Sequence, residues 1–271
     1  MNATIAELFV YPVKSCRGIA VGAARLTERG LAHDREWMIV DTDGRFVTQR
    51  EVPRLALVGT ALSDTTLQLA APGMAPLTIP LEQTRTPCSV TIWHDTLPAF
   101  DQGDTAGSWL SAWVGHPVRL VRFDPEFRRH CNPAFAGPDG AHTAFADGYP
   151  ILVLSEASLG DLNGRLEDPL PVDRFRPNLV LSGIEPYDED HIGELAIGAV
   201  TLRLVKPCTR CRITTTDQAT AQVGVEPLAT LARYRQNAAL DGVTFGMNAV
   251  VATGAGASIT TGAPARCTLA F

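Results

Sequence analysis

Lysine is nearly missing from this 271-residue chain: of 23 basic residues only Lys14 and Lys206 are lysine, the rest arginine. So strong a bias is read most simply as genome composition. Both lysines nevertheless stand two residues before a cysteine, at Cys16 and Cys208. No apolar run reaches the roughly 18 residues a membrane helix requires. The opening MNATIAELFVYPVKS has neither a basic leader nor a small-residue cleavage site, so no signal peptide is expected and the cytoplasm is the expected compartment. Gly-x-Gly-x-x-Gly and Walker-type loops are absent, which removes the main support for a nucleotide cofactor. A Gly-x-Ser-x-Gly elbow is missing too, and His33, His94, His116, His130, His142 and His191 show no metal-binding spacing. A net charge of −6 speaks against wholesale binding to nucleic acid or an anionic membrane.

What is present reads as a globular chain, with 45% hydrophobic and 19% charged residues. Strand-like runs fall at Ile5–Tyr11, Trp37–Val40, Leu55–Leu62 and Val90–Trp93, and Asp43-Gly44 signals a hairpin into Arg45–Gln49. Helical spacing marks 106–114, followed by a strand in 116–121. Residues 124–149 carry Pro125, Pro133 and Pro138 with little periodicity, and are expected to form a loop or lid. A strand over Ile151–Leu154 leads into a helix capped by Ser155 and running to about Leu166. Further strands are expected at Leu179–Ser182, Val200–Val205 and Phe245–Val251, and a helix at Leu228–Arg235. Many short strands with few helices make this a mostly β chain with short helices (α+β), a barrel or sandwich and not a doubly wound sheet.

The six cysteines are irregularly spaced and are read as reduced thiols, most of them small core residues. Cys208 and Cys211 form a Cys-x-x-Cys pair beside Lys206, Arg210 and Arg212, with no acid nearby. Zinc would need a second pair. A dithiol redox site, a single thiolate ligand to a soft metal and plain packing at a strand end all stay open. Arg174-Phe175-Arg176-Pro177-Asn178 offers forked donors, and Pro177 biases Arg176 toward extended backbone. With Lys14-Ser15 and His33-Asp34-Arg35, these clusters suggest an anion site. The acidic run Asp188-Glu189-Asp190 is read as a solvated loop.

In their order, several motifs resemble the MOSC-domain proteins that carry an N-terminal β-barrel domain. They include Tyr11-Pro12-Val13-Lys14-Ser15-Cys16-Arg17-Gly18, Asp34-Arg35-Glu36-Trp37, Thr48-Gln49-Arg50-Glu51, Trp93-His94-Asp95 and Asp101-Gln102-Gly103-Asp104. Toward the end follow Leu154-Ser155-Glu156-Ala157-Ser158, the Arg174–Asn178 motif, Lys206-Pro207-Cys208-Thr209-Arg210-Cys211 and Phe245-Gly246-Met247-Asn248. Within that group the chain looks most like the amidoxime-reducing components and their bacterial counterparts.

The resemblance implies an N-terminal β-barrel-like domain over residues 1–120 and a MOSC β-barrel domain over 121–271, with a cleft between. It implies a molybdenum cofactor, Mo-molybdopterin, for which a pyranopterin without a nucleotide is one form. Cys211 would be the metal ligand and catalytic centre, with Cys208 a neighbour. Lys14, Ser15, Arg35, Arg176, Thr209, Arg210 and Asn248 would hold the pterin and its phosphate. The implied activity is a detoxifying reduction of hydroxylamines, amidoximes and N-hydroxylated bases by oxygen-atom transfer to molybdenum. A molybdopterin-binding or sulfur-carrier protein without turnover is the alternative. The family's cysteine motif often continues into a Val-Asp or Val-Ser step, where this chain reads Ile213-Thr214-Thr215-Thr216-Asp217. No Cys-x4-Cys-x2-Cys run is present, so electrons are expected from a separate protein of ferredoxin, flavin reductase or cytochrome type.

Overall fold

A computed structural model describes residues 1–82, 86–138 and 140–270. The chain is mostly β-strand with short helices. Its principal strands are β1 (Asn2–Val10), β2 (Trp37–Val40), β3 (Thr86–Ile92), β4 (Asp95–Asp101), β5 (Arg119–Phe123) and β6 (Ile151–Ser155). They continue with β7 (Leu179–Ser182), β8 (Ile192–Ile197), β9 (Val200–Thr209), β10 (Gly242–Thr253) and β11 (Pro264–Leu269). Two helices matter for packing, α1 (Asp104–Val114) and α2 (Glu156–Asn163).

Seven strands close on themselves in the order β6-β7-β1-β11-β8-β9-β10, with β10 pairing back to β6. Closure leaves no open edge among the seven. β1, from the start of the chain, is a stave between β7 and β11, with Ile5 opposite Leu181 and Ala3 opposite Ala265. Alternation drives the closure: in β9 Val200, Leu202 and Leu204 point inward while Thr201 and Arg203 point out. Ile5, Leu8, Val153, Leu179, Leu195 and Ala249 fill the interior with them. A glycine is required where β10 crosses β6, because Gly246 has φ +75° and a Cβ there would lie 2.8 Å from the Val153 carbonyl.

A second sheet in the order β2-β5-β4-β3 packs against α1 and a three-stranded meander at Gly59–Leu62, Thr66–Ala70 and Leu77–Pro80. Trp37, Ile39, Leu110, Trp113 and Leu120 form its core. Helix α1 ends on Gly115 in the left-handed region, a common stop. Helix α2 starts as expected, with the Ser155 side chain accepting from the Ser158 amide, but stops at Asn163.

Several expectations need correction. The run 55–62 divides into a 3-10 turn at Pro53–Leu57, started by proline, and the strand Gly59–Leu62. Residues 45–49 form no strand; Phe46 and Arg45 make single bridges to Val40 and Thr91. The helix expected over 228–235 is one turn, Leu228–Leu231. Residues 124–149, apart from Asp139 outside the described set, hold a short pairing of Arg129–His130 with His142–Thr143 and one helical turn. The acidic run is not a solvated loop. Glu189 is 0% exposed and accepts from the Ser155 amide and the Ser155 and Ser158 hydroxyls, while Asp190 pairs with Arg235. Among the described residues, no helix is long and apolar enough to cross a membrane.

Candidate functional site

β9 outruns the barrel. Its pairing with β10 shifts register at Leu204/Lys206 and again at Pro207/Thr209, and such bulges re-aim side chains. The last residues of β9 and the turn after it deliver Cys208, Thr209, Arg210 and Cys211 to the rim. There they meet Lys14 and Ser15 after β1, Arg35 before β2, Arg176 before β7 and Asn248 in β10. All eight residues singled out in the sequence line one cleft with Cys208. Its volume is about 130 Å³.

Arg35 and Arg176 stand against the Tyr11 ring, 4.2 and 4.4 Å from its centroid. Arg35 donates to Asp34 (2.6 Å), Asn178 (3.0 Å) and the Arg176 carbonyl (3.0 Å). Arg176 donates through Nη1 to the Cys16 carbonyl at 2.7 Å. Its Nη2, like Nε of Arg210, is buried without a hydrogen-bond partner among the described residues. Burial, with Arg35 alongside, pulls the Arg176 guanidinium down to about 10, so it stays charged at neutral pH. Two like charges beside one ring, with unmet donors, make a place for an anion.

Arg176 is not extended as the following proline suggested. It has φ +55°, and Ser15 (+68°) and Arg35 (+48°) are also left-handed. Each costs a non-glycine residue roughly 1–3 kcal/mol, and such strain gathers at functional sites. Arg174 turns away from the cleft. It donates to the Thr214 carbonyl at 3.0 Å and pairs with Asp217 at 3.4 Å, bracing the turn after Cys211. Arg17 and Gln49 reach the same segment from the other half, at the carbonyl and side chain of Gln218.

Both cysteine sulfurs are half-buried and meet a guanidinium: Arg210 Nη1 lies 2.9 Å from Cys208 and Arg50 Nη2 lies 3.3 Å from Cys211. Among the described residues no group of three His, Cys, Asp or Glu could hold a metal, so the pair can offer a metal thiolate but not a closed protein cage. Lys14 is buried and donates to Asp147 at 2.6 Å and to the Phe145 carbonyl at 2.9 Å. Burial lowers the Lys14 pKa despite Asp147. For Asp147 burial acts upward, but the Lys14 ammonium outweighs it and holds the carboxyl well below the usual range. Arg50, Asp147 and Asn178 were absent from the sequence-derived site. Arg50 and Asn178 lie inside quoted motifs. Asp147 lies in the expected loop and carried no signal.

The family model described as MOSC N-terminal beta barrel domain matches residues 2–117, and the MOSC domain model matches 140–265. The chain is 40% identical over 250 residues to mouse mitochondrial amidoxime-reducing component 1, covering 86% of this chain and 71% of the mouse protein. The human protein of the same name is 38% identical over 245 residues, with 86% and 72% covered. Among solved structures, the YuaD protein of Bacillus subtilis aligns over 98% of this chain and 94% of its own, at 10% identity and a TM-score of 0.44.

Proposed function

The chain belongs to the MOSC-domain proteins with an N-terminal β-barrel domain, the family of the amidoxime-reducing components, and on that premise we propose that it is a molybdenum-cofactor-dependent reductase of N-hydroxylated compounds. One observation carries the reading. A half-buried cysteine sulfur shares a basic cleft with two guanidiniums whose buried nitrogens lack hydrogen-bond partners among the described residues. A phosphorylated pterin would meet those nitrogens, and a soft metal suits the thiolate, so donor set and cofactor fit.

Arg35, Arg176 and Arg210 would hold the phosphate and ring, with Lys14, Ser15, Thr209 and Asn248 along the wall and Cys211 as the protein ligand. Bound there, the cofactor would supply a metal that accepts an oxygen atom and takes up electrons. The chain supplies position and charge. Arg50 holds the Cys211 sulfur by a charge-assisted hydrogen bond, and Lys14 fixes Asp147 as an ionised acceptor at the mouth. Asn178 ties the Leu152 amide, the Phe9 carbonyl and Arg35 together, locking β6 and β1 to the phosphate donor. Overall, two electrons and two protons convert N–OH to N–H and water, the electrons coming from a separate donor protein. Cytoplasmic residence belongs to the same proposal; the mouse and human relatives are named mitochondrial, and fractionation of the native host decides.

The test uses protein from a cofactor-competent host, reduced methyl viologen and benzamidoxime. Benzamidine is expected to form in proportion to molybdenum content. Bound molybdenum without benzamidine would return the carrier reading, and absence of molybdenum would end both.

A further inference from the structure

Trp93 has three features that packing does not demand. Its side chain is 43% exposed, and its φ of +56° is a conformation bulky residues rarely adopt. Its ring is nonetheless held: the Arg50 guanidinium lies 4.7 Å from its centroid, Phe46 lies 5.1 Å away, and Nε1 donates to Asp147 at 3.3 Å. The partners link it to the cleft, for Arg50 touches the Cys211 sulfur and Asp147 lines the wall. Trp93 also borders a groove of about 480 Å³ formed with Phe46, Val47, Val52, Glu51 and His116.

We propose that Trp93 is a specificity-determining residue, giving an aromatic wall to substrates whose N-hydroxylated group is carried on a planar ring. The ring body packs on the indole over the groove, while the nitrogen end turns toward Asp147, an ionised acceptor for N–H groups. This deepens the reductase reading and rests on it. Ring–ring contact is worth about two- to tenfold in affinity beyond buried area, a gain that small aliphatic substrates cannot collect.

Amidines lack the N–O bond, so they report binding without turnover. Benzamidine and acetamidine are titrated calorimetrically into the molybdenum-loaded protein. Benzamidine is expected to bind more tightly. Trp93→Ala should weaken benzamidine about two- to tenfold and leave acetamidine within twofold, whereas Trp93→Phe should keep most of the preference. In turnover, Trp93→Ala should raise KM for benzamidoxime more than for acetamidoxime, with kcat within twofold. Equal loss for both amidines, or none, overturns the inference, as does a wild type that prefers neither. If benzamidine binds through Trp93 but neither amidoxime is reduced, the binding wall stands and the reductase reading falls.

Discussion

Arginine 176 shows how much a single residue concentrates. Its motif pointed to an anion, and its side chain does enter the cleft. Its backbone conformation was not legible, because the proline rule speaks only to local sterics. The left-handed turn is held by distant partners, the Cys16 carbonyl and the Tyr11 ring. Arg50 shows the converse. Its contact with Cys211 spans 161 positions, so no local pattern could assign it. Losing one charged hydrogen-bonding partner costs on the order of 1.5–3 kcal/mol, roughly ten- to a hundredfold in affinity. Arg176→Ala is therefore expected to fold and yet lose most of its molybdenum on gel filtration. Arg128→Ala should keep its full complement, since that side chain is 65% exposed, pairs with Glu28 at 3.8 Å and lies outside the cleft. Metal content at matched circular dichroism decides, and full occupancy in Arg176→Ala would make it a structural charge.

Among elements, alternation and turn chemistry made β2, β7 and the start of α2 readable from sequence. The edges of β9 and β10 were not, because their bulged pairing arises between strands some 40 residues apart. The acidic turn 188–191 misled for a related reason. Three consecutive acids read as solvated, yet Ser155, which caps α2, and Ser158 in its first turn supply the donors that let Glu189 be buried. Burial raises the Glu189 pKa above its ordinary 4.5, outweighing those hydrogen bonds. The sign follows. A carboxyl harder to ionise when folded favours folding below its unfolded value, and that advantage is lost as pH rises through the folded value. Glu189→Gln stays neutral throughout. From pH 4 to 7.5 the stability of wild type should therefore fall relative to Glu189→Gln in urea unfolding. A constant difference, or one moving the other way, would contradict this account of the turn.

At the scale of the whole molecule, the chain closes its barrel with β1, far in sequence from the strands it joins. β1 pairs with β7 on one side and β11 on the other, so residues far apart in sequence share one core. Burying Ile5 and Leu8 alone is worth about 1.5–3 kcal/mol each. Deleting residues 2–10 should abolish cooperative thermal unfolding; a transition within about 5 °C of the parent would show that the barrel closes without β1. The same closure brings Lys14, Arg35 and Arg50 to Cys211, and that convergence is the centre of the account. Its most direct measurement is molybdenum content and molybdenum X-ray absorption of the wild type, Cys211→Ser and Cys208→Ser, all from a cofactor-competent host. The expected result is about one metal per chain in the wild type and in Cys208→Ser, with one sulfur neighbour lost in Cys211→Ser. A wild type without molybdenum, or a Cys211→Ser spectrum with every sulfur neighbour retained, would contradict it.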